Sequence, residues 1–548
     1  MNWACVWRGL QQDSLLIALT VRHMSTANKF IPRITIPQKM VLNLNKQNIR
    51  NERTKRVKKP LKFKSPLVIS CHREKFNHHK GQTYNDFNPK TLASYGWKHR
   101  KSVGDHFTLM DWNSNPAVVT KPKSFEDLNL MSSLRDYLSE AGLSTPTDVQ
   151  IKAIPEILQG NNVICAAETG SGKTLAYLLP IFQLIKQYND IVTNSKHKNS
   201  PKSIIIVPSR ELAIQIMSVI KDLTKIMPLE PQLILGKVGS MEQLVLNKKM
   251  DILVTTPGAL QAMLAKNKIK FHNLLQLVLD EADTLLDDSF HSNIVSILNH
   301  MKAHIKTISP ADLSAAAAAV SSSEHPPISV SGTQIILASA TLPTSLDAKI
   351  GNIIPLDTFT RVTTEYLHHI PPHIKQKFVR LLPSEKPGFV LKFAKKNKMS
   401  SVMLFCKDNS SSYWLYKFLE ENGVSAALFN GNVFAEERKD IYQKFMNQEF
   451  SILVSTDIAS RGLDTTHVQT VMNYDFPHFV SDYIHRVGRV GRLGSNATSE
   501  VISLVAHKYE VEIVWLLEMA ARKMTQIHNV NANIKRKLVG RHAQTDGK

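Results

Sequence analysis

Cysteine is scarce in this chain. Four residues in 548, Cys5, Cys71, Cys165 and Cys406, stand far apart, with no C-x-x-C pair and no Cys/His spacing suited to zinc. That leaves no basis for a small disulfide scaffold or a thiolate metal site, and a reducing compartment fits. Long apolar runs are also missing: nothing approaches the ~20 residues that a bilayer-spanning helix needs, so no integral span is expected. Acids are missing in one place only. Residues 1–124 hold 23 Lys+Arg against 6 Asp+Glu, a net of +17, whereas the remaining 424 hold 45 against 40, a net of +5. The first quarter also lacks apolar periodicity, so it reads as a flexible, disordered basic arm, either a solvated linker or a contact for polyanions.

What is present builds cores. Hydrophobic residues at 43% exclude a wholly disordered or collagen-like chain, and the length suggests two to four domains at about 100–200 residues each. Within residues 1–51 the single acid is Asp13, beside Arg8, Arg22, Lys29, Arg33, Lys39, Lys46 and Arg50, and the one short apolar run is Leu15–Val21. Few acids, spaced arginines and no long apolar core resemble a mitochondrial transit peptide more than a secretory signal. The cluster Arg53–Lys59 reads equally as nuclear localisation or RNA contact.

From Asn162 onward, short apolar runs alternate with helix-length amphipathic stretches. Val163–Ala166, Ile204–Val207, Ile252–Thr255, Leu277–Asp280 and Ile335–Ala338 read as buried strands of a parallel sheet. A second series follows at Val402–Phe405, Ala426–Phe429, Ile452–Ser455, Val468–Asn473 and Val501–Leu504. The expected organisation is α/β: a basic arm over 1–124, domains over 125–355 and 388–524, a Pro- and His-rich linker over 356–387 and a basic tail over 525–548. Ser309–Ser331 reads as a low-complexity insertion.

Two motifs carry chemistry by themselves. Ala167-Glu168-Thr169-Gly170-Ser171-Gly172-Lys173-Thr174 follows a strand and opens a helix. Small residues let backbone N–H groups wrap phosphates, the helix N-terminus adds positive potential, Lys173 reaches the β/γ-phosphates and the Thr174 hydroxyl suits Mg²⁺. The second is Leu277-Val-Leu-Asp280-Glu281-Ala-Asp283, a buried strand ending in carboxylates. Asp280 is placed for the Mg²⁺ shell, and Glu281 for orienting or deprotonating an attacking water. ATP and Mg²⁺ are therefore the expected cofactors.

Asp-Glu-Ala-Asp after a strand, preceded by that phosphate loop, resembles the DEAD-box RNA helicases over about residues 125–505. The resemblance implies two RecA-like domains, each a parallel sheet flanked by helices, and an RNA-dependent ATPase with a monomeric core. It implies adenine recognition by Gln150, in Gly142-Leu-Ser-Thr-Pro-Thr147-Asp-Val-Gln150, with Phe125 upstream; a carboxamide can pair with an adenine edge and a ring can stack on its face. Pro208-Ser-Arg210-Glu211 and Thr256-Pro-Gly258 are similar to RNA-backbone contacts of the family, as is Thr456 in Ser455-Thr456-Asp457-Ile-Ala-Ser-Arg461-Gly462, where Arg461 joins it and Asp457 implies a ribose contact. Ser339-Ala-Thr341, with Asp283 and His485, implies coupling of the ATP site to strand separation. Arg489 and Arg492, in His485-Arg-Val-Gly488-Arg489-Val-Gly491-Arg492, resemble arginine fingers, whose planar permanent charge stabilises a transferring phosphoryl group.

Three departures from the family stand out: Ala259 where Arg is common, Val238-Gly239-Ser240 in place of a Gly-Gly pair, and Asn430-Gly431 in place of His-Gly. They leave an ATP-gated RNA clamp with little unwinding open as an alternative, with a DNA helicase as a further rival. Leu92–Lys98, Asp105-His-Phe107 and the Thr256–Ala259 and Leu279–Asp287 segments narrow the resemblance to mitochondrial family members linked to large ribosomal subunit assembly. That implies mitochondrial large-subunit rRNA and preribosomal particles as partners, in the matrix, with the nucleus as the other possibility.

Overall fold

The computed structural model describes residues 67–84, 87–110, 124–191, 198–236, 249–287, 289–301, 332–342, 346–397, 401–460, 463, 465–492, 499–527 and 530. The expected transit peptide, the Arg53–Lys59 cluster, the 309–331 insertion and most of the basic tail lie outside them. Three strands come first: β1 (Leu67–Cys71), β2 (His78–His79) and β3 (His106–Leu109). A second group follows, β4 (Asn162–Ala166), β5 (Ser203–Ile206), β6 (Pro231–Ile234), β7 (Ile252–Thr255), β8 (Gln276–Asp280), β9 (Gln334–Ser339) and β10 (Phe359–Thr363). The third is β11 (Lys375–Arg380), β12 (Val402–Phe405), β13 (Ala426–Phe429), β14 (Ile452–Ser455), β15 (Thr470–Asn473) and β16 (Glu500–Val505).

The first domain is a seven-stranded parallel sheet in the order β10-β4-β9-β8-β5-β7-β6. Because side chains alternate along a strand, each apolar run serves two layers. Val163, Cys165, Val254, Val278 and Ile336 face one core with the helices Asp148–Leu158, Lys173–Ile191 and Arg210–Thr224. Ile164, Leu253, Leu277 and Leu337 face the other, with Pro257–Ala265 and His291–Met301.

The second domain repeats the plan in the order β13-β14-β12-β15-β16-β11, all parallel, then continues antiparallel through β3, β1 and β2. Its two cores are marked by Met403, Phe405 and Val471 on one face and by Leu404, Val454 and Met472 on the other.

Three expected boundaries are corrected. The arm does not run to residue 124, since Leu67–Leu109 is an integral part of the second domain. Phe107 stacks on Phe378 at 4.8 Å, and buried Glu518 of the helix Lys508–Lys523 accepts from Ala93 N, Ser94 N and Ser94 Oγ at 2.7, 3.0 and 2.5 Å. The linker is shorter than 356–387, because its two ends are β10, paired with β4, and β11, paired with β16. The tail does not begin free at Thr525: Ile527 and Val530 are buried in the second core, and Ile527 N donates to His368 O at 2.8 Å. In each case an apolar residue or a polar strand finds cover from a chain segment remote in sequence.

Candidate functional site: a cleft between two parallel sheets

Parallel strands end at a common edge, and in open α/β sheets ligands bind outside those carboxyl ends. Most of the chemistry-bearing segments named above emerge there. In the first domain β4 leads into the phosphate loop, β5 into Pro208 and Arg210, β7 into Thr256 and Gly258, β8 into Asp280 and β9 into Ser339; in the second, β14 leads into Thr456 and Asp457. Ser209 caps the helix Arg210–Thr224 by accepting from Leu212 N at 3.2 Å, and Arg210 donates to Gly236 O. Gly258 is exposed in the first turn of Pro257–Ala265, whereas Ala259 is buried. Arg461 and the Val238–Ser240 segment lie outside the described residues.

The phosphate loop turns through Gly170 and Gly172, both at positive φ, +81° and +89°, where a side chain is strained. Lys173 Nζ donates to Ala167 O and Glu168 O, 2.7 Å each, and Ser171 Oγ to Glu168 O at 2.7 Å. Burial pulls the Lys173 ammonium below its usual pKa, opposed by the charges of Cys165, Asp280 and Glu168. Behind the loop, Gln150 is the N3 residue of a capping box: its Oε1 accepts from Thr147 N at 3.0 Å while its Nε2 donates to Gly172 O at 3.2 Å. The carboxamide expected at the adenine thus also braces the loop. Phe125 is 5% exposed, its ring in the first core with Leu128 and Leu130, so the stacking face expected from the sequence is turned inward.

Asp280 is buried. Its Oδ2 accepts from Tyr177 OH at 2.9 Å and its Oδ1 from Glu281 N at 2.8 Å. Burial, with the Glu281 carboxylate beside it, pushes Asp280 up to about 6. A buried carboxylate in that state, with the Thr174 hydroxyl at the head of the neighbouring helix, is a hard-oxygen donor set suited to Mg²⁺. No group of three or more His, Cys, Asp or Glu among the described residues could cage a metal. Glu281 sits in the left-handed region, φ +53° and ψ +50°, at the start of the short helix Ala282–Leu285. Non-glycine residues held there are strained and concentrate at functional sites.

Four residues assigned to coupling by resemblance form one buried network. Asp283 Oδ2 accepts from Thr341 Oγ1 at 2.5 Å, from Thr341 N at 3.1 Å and from His485 Nε2 of the second domain at 3.0 Å. Ser339 Oγ donates to Thr341 O at 2.5 Å and accepts from Asp283 N at 3.3 Å. The domains touch again at the phosphate loop: a Cβ on Gly488 would overlap the Thr169 side chain, and one on Gly170 would meet Arg492 Cγ at 3.1 Å. Arg492 is therefore packed on the loop. Arg489 is buried, and its Nη1 donates to Leu463 O at 2.8 Å and its Nε to His485 O at 3.3 Å, both in its own domain.

Three contributors escaped the sequence reading. Arg486 grips Asp457 with Nε at 2.6 Å and Nη2 at 3.1 Å, so the carboxylate expected at the ribose is also the acceptor of a bidentate ion pair. Arg438 Nε and Nη2 both lie 3.0 Å from Glu211 Oε1, bridging the domains. His368 Nε2, in the linker, accepts from Leu342 N at 2.9 Å. Arg486 had a visible signal, its place in the arginine-rich run; Arg438 and His368 had none.

A phosphate loop and acidic strand end on one RecA-like domain, faced by an arginine-bearing helix on a second, make a nucleotide-hydrolysing cleft that closes between two lobes. Residues 147–348 match the DEAD/DEAH box helicase family and residues 385–494 the helicase conserved C-terminal domain. The chain is 37% identical over 484 residues to the probable ATP-dependent RNA helicase DDX28 of Mus musculus, covering 86% of each. It is 35% identical over 536 residues to the Homo sapiens protein of the same name, covering 95% of each. In fold it is similar to S. cerevisiae Dbp5 bound to RNA and ADP BeF3, with a TM-score of 0.57 at 23% identity over 73% of this chain and 94% of that one. The chain belongs to the DEAD-box family of ATP-dependent RNA helicases, enzymes that bind ATP and RNA.

Proposed function

We propose that this helicase separates short RNA duplexes locally as ATP and RNA draw its two domains shut, and that its substrate is large-subunit rRNA in preribosomal particles of the mitochondrial matrix. The observation that carries the mechanism is the Asp283 carboxylate, shared by Thr341 of one domain and His485 of the other. It lies three residues from Asp280, so the state of the ATP site and the seating of the second domain bear on the same segment.

Lys173 and the loop amides cradle the β- and γ-phosphates, and Arg492 adds positive charge from the second domain as charge develops on the transferring group. Thr174 and Asp280 would hold Mg²⁺, which supplies charge neutralisation on the phosphate oxygens. Glu281 takes a proton from the attacking water as its oxygen bonds to the γ-phosphorus and the bond from that phosphorus to the β,γ-bridging oxygen breaks, the electron pair leaving with ADP. Thr456, Pro208, Arg210, Thr256 and Gly258 face the RNA backbone, which carries no sequence information by itself. Selection of rRNA therefore lies elsewhere. The organelle assignment rests on the acid-poor, arginine-spaced N-terminus and on the resemblance to mitochondrial family members.

Glu281→Gln keeps the shape of the base and removes its proton affinity. The variant is expected to lose ATP turnover while retaining ATP and RNA, so that crosslinking it in cells and sequencing the captured RNA recovers mitochondrial large-subunit rRNA. Normal turnover would sink the role of Glu281, and predominantly nuclear RNA would sink the assignment of place and substrate. ATP-dependent RNA retention by the wild type without any duplex separation would favour the clamp, a reading to which the buried Ala259 lends support.

A further inference from the structure

The order in which strands are added to the second sheet reverses at β12, with direction unchanged: β13 and β14 lie to one side of β12, and β15, β16 and β11 to the other. Such a switch point opens a crevice outside the strand ends. Here it holds a depression of about 370 Å³, lined by Lys386, Lys407, Ser410, Trp414, Asp475 and His507 among others. Its acids are already engaged. Asp475 Oδ1 is 3.2 Å from Lys386 Nζ, its Oδ2 accepts from Lys407 N at 3.1 Å, and nearby Asp408 accepts from Ser411 N at 2.7 Å and stands 3.8 Å from the half-exposed Lys407 Nζ. Trp414 stacks on Phe418 at 5.4 Å and is 50% exposed, so an aromatic surface is presented to solvent beside an exposed Lys407.

A second feature stands on the same edge. β3 runs antiparallel to β11 with His106 opposite Val379, so the residues just before β3 lie level with the carboxyl end of β11. A few residues further upstream, tied to the same end of β11 by Arg380, is Lys98-His99-Arg100-Lys101, a basic run in two short 3-10 turns, with His99, Arg100 and Lys101 exposed. Their backbone is fixed. Trp97 is buried with its Nε1 donating to Asp105 at 2.9 Å, and Arg380 Nε donates to Trp97 O at 2.9 Å. Lys98 is paired with Glu512 at 2.8 Å, but Arg100 and Lys101 have no carboxylate partner among the described residues. A solvated basic turn would not need so rigid a mount.

We infer that this edge of the second domain is an auxiliary site for single-stranded RNA, in which Trp414 stacks a base and Lys407, Arg100 and Lys101 contact the phosphates of the strand leaving the cleft. Thr456 follows β14, and from there to β3 is five strand spacings, about 24 Å at ~4.8 Å each. Aromatic platforms beside a positive groove are the general means of holding single strands. The inference rests on RNA entering the cleft at Thr456 and goes beyond it by giving the flanking strand a place.

The test compares oligouridines of about 6 and about 20 nucleotides, short and long relative to the site sizes of single-strand binders. Binding is followed by fluorescence anisotropy with full-length protein and a non-hydrolysable ATP analogue. Wild type is expected to prefer the long RNA. Trp414→Ala should weaken long-RNA binding by about tenfold, as loss of one stacked base does. The double variant Arg100→Glu with Lys101→Glu should flatten the salt dependence of log K for long RNA by about 1.4, at ~0.7 per phosphate contact. Short-RNA affinity should stay at the wild-type value in both. No long-RNA preference in the wild type, or variants that keep it in full, overturns the inference while leaving the helicase reading intact. Loss at both lengths in the variants also overturns it, because the residues would then serve the cleft itself. Failure of wild type to bind either RNA would sink the cleft reading first.

Discussion

Replacing His485 with alanine removes a bond that exists only while the domains touch. Its Nε2 donates to Asp283 Oδ2 at 3.0 Å, with both residues buried. The same oxygen keeps Thr341 Oγ1 at 2.5 Å and Thr341 N at 3.1 Å when the histidine is gone, so the substitution does not strand a carboxylate. What is lost is one charge-assisted hydrogen bond of the closed form, about 1.5–3 kcal/mol. At ~1.4 kcal/mol per decade, that lowers the closed-to-open ratio roughly 10- to 150-fold. Dyes on the two domains, read by energy transfer during an RNA titration at fixed ATP analogue, would show the RNA concentration for half-closure rising by about that factor. Turnover at saturating RNA should fall less, since mass action restores closure. An unchanged half-closure concentration would refute the reasoning, and with it the place of Asp283 as the shared joint.

Glu518→Ala should unsettle the second domain. It removes the acceptor of Ala93 N, Ser94 N and Ser94 Oγ and leaves buried Arg522, now 2.7 Å from a carboxylate oxygen, without its counter-ion. The expected loss is about 3–5 kcal/mol in urea unfolding, with early hydrogen exchange over residues 67–109, and native-like protection there would contradict it. The thiols of Cys71 and Cys165 are pushed up to about 12 by burial, and that of Cys406 well above its ordinary value by the same cause. At about pH 8 these three should remain protonated and resist iodoacetamide until the protein unfolds. Alkylation of any of them in the native state, read by peptide mass, would show the burial argument to be wrong.

The catalytic edge is readable from sequence because its signals are local. A strand, a glycine turn and a lysine at a helix start lie within a dozen residues, and β8 delivers its carboxylates in one run. The second sheet's outer half is not local. Lys375-Gln-Lys-Phe-Val-Arg380 carries three cations in six residues and resembles a surface segment, yet it sits between β16 and β3, with Gln376 accepting from Tyr483 OH at 2.7 Å and Arg380 bonded to the Trp97, Val505 and Ala506 carbonyls. Leu67–Cys71 is a plausible strand by composition, but nothing near it reveals a sheet some 300 residues away in sequence. Likewise Glu211 and Arg438 are ordinary charges until the domains meet, and Phe125 looks like a base platform until its neighbours bury it.

Since β1–β3 precede the first domain in the chain but complete the second, the first domain is an insertion within the second. Synthesis has a consequence. Leu109 leaves the ribosome well before β16 ends at Val505; at 5–20 residues per second the wait is roughly 20–80 s. Until β16 is made, β11 and the β1–β3 segment joined to it lack their parallel neighbour, while from Thr363 onward the first domain already has every strand it needs. A nascent chain of this protein therefore carries an unmatched strand edge beside a finished lobe, the kind of surface that holdase chaperones cover.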